Sequence, residues 1–329
     1  SPRSHAGRVS AALQAGATSE RMSFQTALAG TGQPISPTAT GLIWKTPLAA
    51  EAATPPSVVY APPEQGGSTI LIQDLRHQLY CLGSGGRVRW RRQLPAHIRS
   101  NVQGVQFDQN ATRCYLFNTP DAIWLLDENG HDVAGFPLQL RSPATNGVVA
   151  VTFGDEHEPC YFIALENGNV LGFDRYGRPL VGWNPQPVGP GNVTTPVLHF
   201  QYAEKDYLAV LSQTGRLSVF GKNGSARFAP IQWDGQFSSP LQVNLLPESP
   251  RIVCFNHQGK AFECDLNGNS SSHQVAPIEK PGVYSAFLPV KDRHHFKYAV
   301  LSENTISGGQ WQAGKYQTLF SKKIDSQWD

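Results

Sequence analysis

Charge is scarce in this chain. Only 16% of its 329 residues are Asp, Glu, Lys or Arg, and 27 basic against 25 acidic side chains leave a net charge of +2. No block of like charge occurs, so nothing marks a nucleic-acid-binding or polybasic surface. The densest basic stretch, Arg87 to Arg92 (RVRWRR), reads as a strand whose arginines alternate outward. Long apolar runs are missing as well, and none reaches the roughly 18 residues of a transmembrane helix. Ser1 to Ser10 is polar and shows no signal peptide; with no initial Met, a mature or trimmed form is the expectation.

Catalytic and metal-binding motifs are equally thin. The five cysteines, Cys81, Cys114, Cys160, Cys254 and Cys264, include no CxxC, which argues against a zinc ribbon or a thioredoxin-like site. Their count is odd and each lies in an apolar strand-like run, so they read as buried small hydrophobes. Cys254 and Cys264 flank one hairpin, but the register around His257 to Lys260 does not set them opposite each other. No GxSxG elbow, P-loop or dinucleotide GxGxxG occurs. Gly83-Ser84-Gly85-Gly86 lacks the following helix that phosphate binding needs.

Turn residues, by contrast, are abundant: 31 Gly and 25 Pro. One stretch organises them. Leu125 to Pro137, LLDENGHDVAGFP, places a tight turn between two apolar runs, with Asn129-Gly130 as its hairpin signal, since both residues tolerate positive φ. It recurs 47 residues later as GFDRYGRPLVGWNP, where Asp174, Gly177, Gly182 and Trp183 take the places of Asp127, Gly130, Gly135 and Phe136. The turn glycine extends to Gly41, Gly86, Gly130, Gly177, Gly224, Gly268 and Gly314, at steps of 45, 44, 47, 47, 44 and 46. Alternating rather than helical periodicity, at about 40 to 50 residues per unit, predicts an all-β fold: a β-propeller of four-stranded blades, six to eight in number with seven favoured.

The first full blade reads as Ser57 to Tyr60, Thr69 to Asp74, Gln78 to Leu82 and Arg87 to Leu94; the second ends in Val133 to Leu140, the third in Leu180 to Trp183 and the fourth in Ala226 to Trp233. The sixth has a poor third strand near Ile306 to Trp311. Gly41 to Leu48 reads as a strand that makes a partial seventh blade. Residues 1–40, rich in small residues with one strand-like run from Met22 to Leu28, are expected to be poorly ordered or a partial blade, and 41–329 to be the propeller domain. The seven tryptophans are expected to pack between neighbouring blades.

Candidate sites are weighed against plainer readings. Asp127, Asn129 and Asp132 resemble part of a calcium loop, but no Glu closes it and the matching Asp174 loop carries Arg175 and Tyr176, so a β-turn is the reading. His294-His295 is the one adjacent histidine pair, and neighbours on a strand point to opposite faces, so no metal site is expected. The loops Pro62 to Gly67, Gly189 to Thr194 and Lys291 to His295 are long or polar. Within them Pro62, Glu64, Gln65, Asn192, Asp292, Arg293, His294 and His295 are the candidate partner-binding residues.

Leu82 to Trp90, LGSGGRVRW, resembles the pyrroloquinoline-quinone-like propeller repeat, whose strands end in a turn, Gly, a basic residue and Trp; Gly41 to Trp44 echoes it. The chain is also similar to uncharacterised envelope propeller proteins of Bacteroidota, through LYCLGSGGRVRWRRQL, YLFNTPDAIWLLDENGHDVAGFPLQL, SPATNGVVAV and GRPLVGWNP. Quinoprotein dehydrogenases with this repeat need a calcium site, a catalytic Asp and usually a vicinal Cys pair, none of which can be placed here. The resemblance therefore implies a non-enzymatic, cofactor-free scaffold with protein partners. It would be periplasmic or outer-membrane-associated in the cell envelope, in a possible membrane-associated complex. The alternatives are a quinoprotein-like enzyme and a small-ligand- or carbohydrate-binding propeller.

Overall fold

The computed structural model describes residues 10–18, 21–29, 44–61, 67–107, 113–153, 158–183, 186–189, 191–244, 250–274, 283–288, 296–302, 305–312 and 315–323. Among them are strands and turns and no helix. β1 (Ser10–Thr18) and β2 (Arg21–Ala29) pair as an antiparallel hairpin, where the sequence shows only the second as strand-like. The rest forms six four-stranded sheets, each with its strands in sequence order.

The first sheet holds β3 (Ser57–Val59), β4 (Thr69–Gln73), β5 (Gln78–Gly83) and β6 (Val88–Gln93); the second, β7 (Gln103–Gln106), β8 (Arg113–Asn118), β9 (Ala122–Leu126) and β10 (Leu138–Gln139). The third holds β11 (Val149–Val151), β12 (Cys160–Ala164), β13 (Asn169–Phe173) and β14 (Gln186–Pro187); the fourth, β15 (Leu198–Tyr202), β16 (Lys205–Leu211), β17 (Arg216–Phe220) and β18 (Ile231–Gln232). The fifth holds β19 (Gln242–Asn244), β20 (Arg251–Phe255), β21 (Lys260–Asp265) and β22 (Ser270–Gln274); the sixth, β23 (Val283–Leu288), β24 (Phe296–Ser302), β25 (Thr305–Gln312) and β26 (Lys315–Lys323).

The strand patterns follow burial. β4 (TILIQ) is buried at every position and reads as a continuous apolar run, as a strand covered on both faces must. β6 lies at the sheet edge and alternates half-buried with exposed residues. Expectations fail at strand ends: the last strands of the second and fourth sheets are only Leu138–Gln139 and Ile231–Gln232, not Val133 to Leu140 and Ala226 to Trp233. The last strand of the third sheet is Gln186–Pro187 rather than Leu180 to Trp183, because Trp183 leaves the ladder to bury its ring. Of the expected Gly41 to Leu48 strand, Trp44 to Leu48 is in no ladder; Trp44 and Leu48 pack instead on the core of Ile70, Ile72, Tyr80 and Leu82. In the sixth sheet β25, expected to be poor, pairs along eight residues.

The chain divides into two compact units, and the division runs through the second sheet. One unit comprises Ser1–Val105, Arg113–Pro120 and Trp124–Val133; the other comprises Gln106–Thr112, Asp121–Ile123 and Ala134–Asp329. In the second unit the third and fourth sheets share a core around Phe162, Trp183, Leu208 and Phe220, and the fourth and fifth share one around Trp233, Phe237 and Phe262.

The Asp127 turn is built differently from an Asn-Gly hairpin. Only Gly130 takes a positive φ, 82°, so the turn is of type I closed by a glycine bulge. Gly130 N–H donates to Asp127 O at 3.1 Å, and Asp127 Oδ1 accepts from the backbone N–H of Asn129 and of His131, both at 2.8 Å. Asp174 and Asp265 hold their turns in the same way. The carboxylate oxygen that a calcium loop would offer is thus spent on the backbone. A Cβ at Gly130 would lie 2.8 Å from the Trp90 indole, so glycine serves both the turn and the ring above it.

Candidate functional site

In each of four sheets the loop that enters the sheet is tied to the turn between its second and third strands. Leu75 N–H donates to Glu51 O at 2.8 Å, Glu166 to Pro143 at 2.9 Å, Gln213 to Asn192 at 2.8 Å and His257 to Gln236 at 2.8 Å. Side chains brace the same turns from inside: Asp74 Oδ1 accepts from Arg76 and Gln78 N–H, Ser212 Oγ from Arg216 N–H, and Asn256 Oδ1 from Gln258 and Lys260 N–H. Loops bound to strands at this density present their side chains in fixed positions.

In the first unit these loops surround a cavity of about 200 Å³. Leu71, Ile72 and Leu79 form its floor; Thr54, Ser57, Arg99, Ser100 and Asn101 are among the residues of its wall. The wall hydroxyls are engaged as acceptors. Thr54 Oγ1 receives Gln73 N–H at 3.1 Å, Ser57 Oγ receives Val102 N–H at 3.0 Å, and Ser100 Oγ receives Asn118 N–H at 3.1 Å. Each keeps its own O–H to offer. Buried Gln73 clamps the outer wall: its Nε2 donates to Ala96 O and its Oε1 accepts from Ile98 N–H, both at 2.9 Å. Arg99 is exposed beside the opening, and Leu75, 53% exposed, stands on the neighbouring turn. An apolar floor with hydroxyls and one guanidinium suits an apolar side chain that has a carboxylate nearby.

The second unit carries a different cluster. Tyr176 is 43% exposed and lies between two guanidiniums, Arg175 at 4.6 Å and Arg178 at 5.0 Å from its centroid, with Phe107 edge-on at 5.9 Å. Arg175 pairs with Glu158 at 3.0 Å and Arg178 with Asp174 at 2.7 Å. Both charges are already matched, so the cluster offers a rigid aromatic surface more than a field.

The thiols are poor nucleophiles. Burial pushes Cys81 up to about 11 despite the Tyr115 hydroxyl beside it, and pushes Cys254 and Cys264 up to about 12. Cys254 pairs in register with Phe262 and Cys264 with Ile252, so these two do not face each other.

Of the residues singled out in the sequence, Asn192 lies on the tied loops: it is exposed and its carbonyl receives Gln213 N–H. Pro62, Glu64, Gln65, Asp292, Arg293, His294 and His295 fall outside the described residues. The structure adds Gln73, Leu75, Arg99 and Tyr176, and brings His77 and His97 together. A signal for the turn residues does exist: Asp74, Asn118, Leu165, Ser212 and Asn256 follow at steps of 44, 47, 47 and 44, matching the turn glycines from Gly86 to Gly268.

Comparison with known proteins places this architecture. No protein-family model matches the chain. A curated relative, outer membrane protein assembly factor BamB of Alkalilimnicola ehrlichii, is 29% identical over 153 residues. The match takes in 45% of this chain and about a third (34%) of that protein's length. Among solved structures, BamB from Moraxella catarrhalis superposes with a TM-score of 0.60 over 94% of this chain and 87% of its own, at 13% identity. BBS1N in complex with ARL6DN gives 0.57 over 85% and 84%, at 14% identity. The fold is a β-propeller of four-stranded blades, and its likeness to BamB holds at both the sequence and the structural level.

Proposed function

We propose that this chain is a non-enzymatic propeller scaffold that binds a protein partner in the bacterial cell envelope, on the periplasmic side or at the outer membrane. The observation that carries the reading is the loop-lined cavity of the first unit, whose wall is clamped by Gln73 and whose floor is apolar. A preformed recess of about 200 Å³ is small for a metabolite and fits one apolar side chain of a docked segment, with Arg99 placed for an adjacent carboxylate. The similarity to an outer membrane protein assembly factor supports the setting. The likeness to Bacteroidota envelope propellers, and the division into a poorly ordered or partial-blade segment 1–40 and a propeller 41–329, belong to the same reading.

The test is site-specific photocrosslinking in cells. A photoreactive residue at Leu75 or Asn101 should give one discrete protein adduct, while the same residue at exposed Ser225 should not. Arg99→Glu should abolish the adduct without lowering the melting temperature. Failure to crosslink at both positions overturns the reading, and a calcium-dependent thermal shift with pyrroloquinoline quinone overturns it in favour of a quinoprotein.

A further inference from the structure

His77 and His97 are 20 positions apart in sequence, yet their ring centroids are 4.2 Å apart at 78°. Neither backbone is free to drift. His77 sits in the left-handed region at φ 63°, with its N–H on Asp74 O at 3.0 Å and its carbonyl receiving Leu94 N–H at 3.0 Å. His97 lies between the two residues that buried Gln73 grips, Ala96 and Ile98. Two imidazoles are therefore held against each other by backbone anchors that do not involve the rings, on a surface where His97 is exposed and His77 half-buried.

The spacing is informative. Imidazoles that each give one nitrogen to a shared ion at ~2.0 Å have centroids ~4.5 Å apart when the two bonds are at right angles, and ~5 Å apart in a tetrahedral site. The observed 4.2 Å, edge-on, brings the two rings within the span of one shared ion. Imidazole ligands suit copper, nickel and zinc, and affinity among these divalent ions peaks at Cu²⁺. We propose that His77 and His97 form a two-histidine site for a divalent copper- or nickel-type ion. Among the described residues no group of three or more His, Cys, Asp or Glu side chains could complete a cage. The ion keeps open positions for water or for a donor from a docked protein. This site is independent of the scaffold reading, although it shares the Pro95 to Asn101 loop with the cavity.

Titration of the full chain with Cu²⁺, followed by calorimetry and by NMR of the histidine ring protons, tests it. One equivalent should broaden the His77 and His97 signals before those of any other described histidine. His97→Gln should weaken that binding about tenfold or more. His77→Asn, which keeps a residue that tolerates the left-handed backbone, should do the same while the melting temperature holds. If His77→Asn fails to fold, His97→Gln alone decides, because His97 is exposed. Broadening centred on other histidines, or binding unchanged in His97→Gln, overturns the site.

Discussion

The first sheet and the third sheet finish the same sequence pattern, a turn followed by an aromatic, in two physical ways. In the first sheet the chain stays in the ladder: β6 pairs from Val88 to Gln93 with one bulge at Arg89, and Trp90 on it is half-buried, with Nε1–H on Glu128 O at 2.8 Å. In the third sheet the chain leaves the ladder after the turn and buries Trp183 to 0% exposure; in the fourth, Trp233, 2% exposed, follows β18 directly with its N–H on Gly215 O at 2.8 Å. In the third sheet the chain then returns for only two paired residues, β14, and β18 is equally short. Their indoles still find acceptors, Lys222 O and Ser270 Oγ, both at 2.7 Å. The difference is one of edge management. A plugged sheet exposes almost no unpaired strand, whereas a laddered one must protect its edge, and β6 does so with exposed Arg87, Arg89 and Arg91.

The largest expected effect breaks the plug. Trp183 contacts Phe162 and Phe220 at 4.8 and 5.3 Å between ring centroids, in a core with no room for rearrangement. Trp183→Ala should cost about 3–5 kcal/mol in urea unfolding, and Trp90→Ala about half of that, since its ring is already partly wet. Equal losses would mean that ladder and plug are energetically the same device.

Glycine substitution separates them next. A Cβ at Gly182 would overlap the Asn223 carbonyl, which is backbone, while at Gly130 it meets the Trp90 ring, which can shift. Both positions have positive φ, 83° and 82°, so both alanines are strained. Gly182→Ala should cost about 2–3 kcal/mol and Gly130→Ala about 1–2 kcal/mol, read as a difference in melting temperature.

The repeat itself was legible in the sequence because turn chemistry is local. Asp127, Asp174 and their glycines declare a tight turn whatever surrounds them, and β4, β5, β8, β9 and β12 declare themselves by apolar runs. The plugs were not legible. LVGW after Arg178 has the composition of a strand, and only the seat offered by Phe162 and Phe220 draws Trp183 out of the ladder. The cavity and the histidine pair were hidden for the same reason. Gln73 looks like a polar strand end, and its role depends on Ala96 and Ile98, 23 and 25 residues away. His77 and His97 become a pair only once that loop is clamped.

The fifth sheet stands between the two cases, with Trp233 bonded to the start of a polar last strand, β22. Its turn depends on Asp265. Burial raises the carboxyl's pKa, but the Asn269 side chain and the N–H groups of Asn269 and Asn267 bring it below the ordinary value. Its contribution is therefore present above about pH 4 and lost as the pH falls further. Asp265→Asn should flatten the acid limb of a stability–pH curve slightly and leave pH 7 behaviour nearly unchanged.

The smallest effect on stability falls on the laddered edge, and it carries the most information about what that edge does. Exposed Arg91 lies 5.4 Å from the centroid of the buried Tyr80 ring, a contact worth roughly 0.5–1 kcal/mol. Arg89, at the bulge of β6, lies on the Cys81 and Gly83 side, opposite Arg91, and Arg87 just precedes the strand. Replacing all three with Thr keeps a good strand former at each position, so urea unfolding should move by about 1 kcal/mol or less. The exposed hydrogen-bonding edge, however, loses its repulsion between copies, and sedimentation velocity should show concentration-dependent association absent from the parent. Replacing exposed Arg178 and Lys222, beside the plug of the third sheet, should produce none, because β14 offers only two residues to pair with. Association in both variants would show that the shortened strands, and not the arginines alone, leave an edge open.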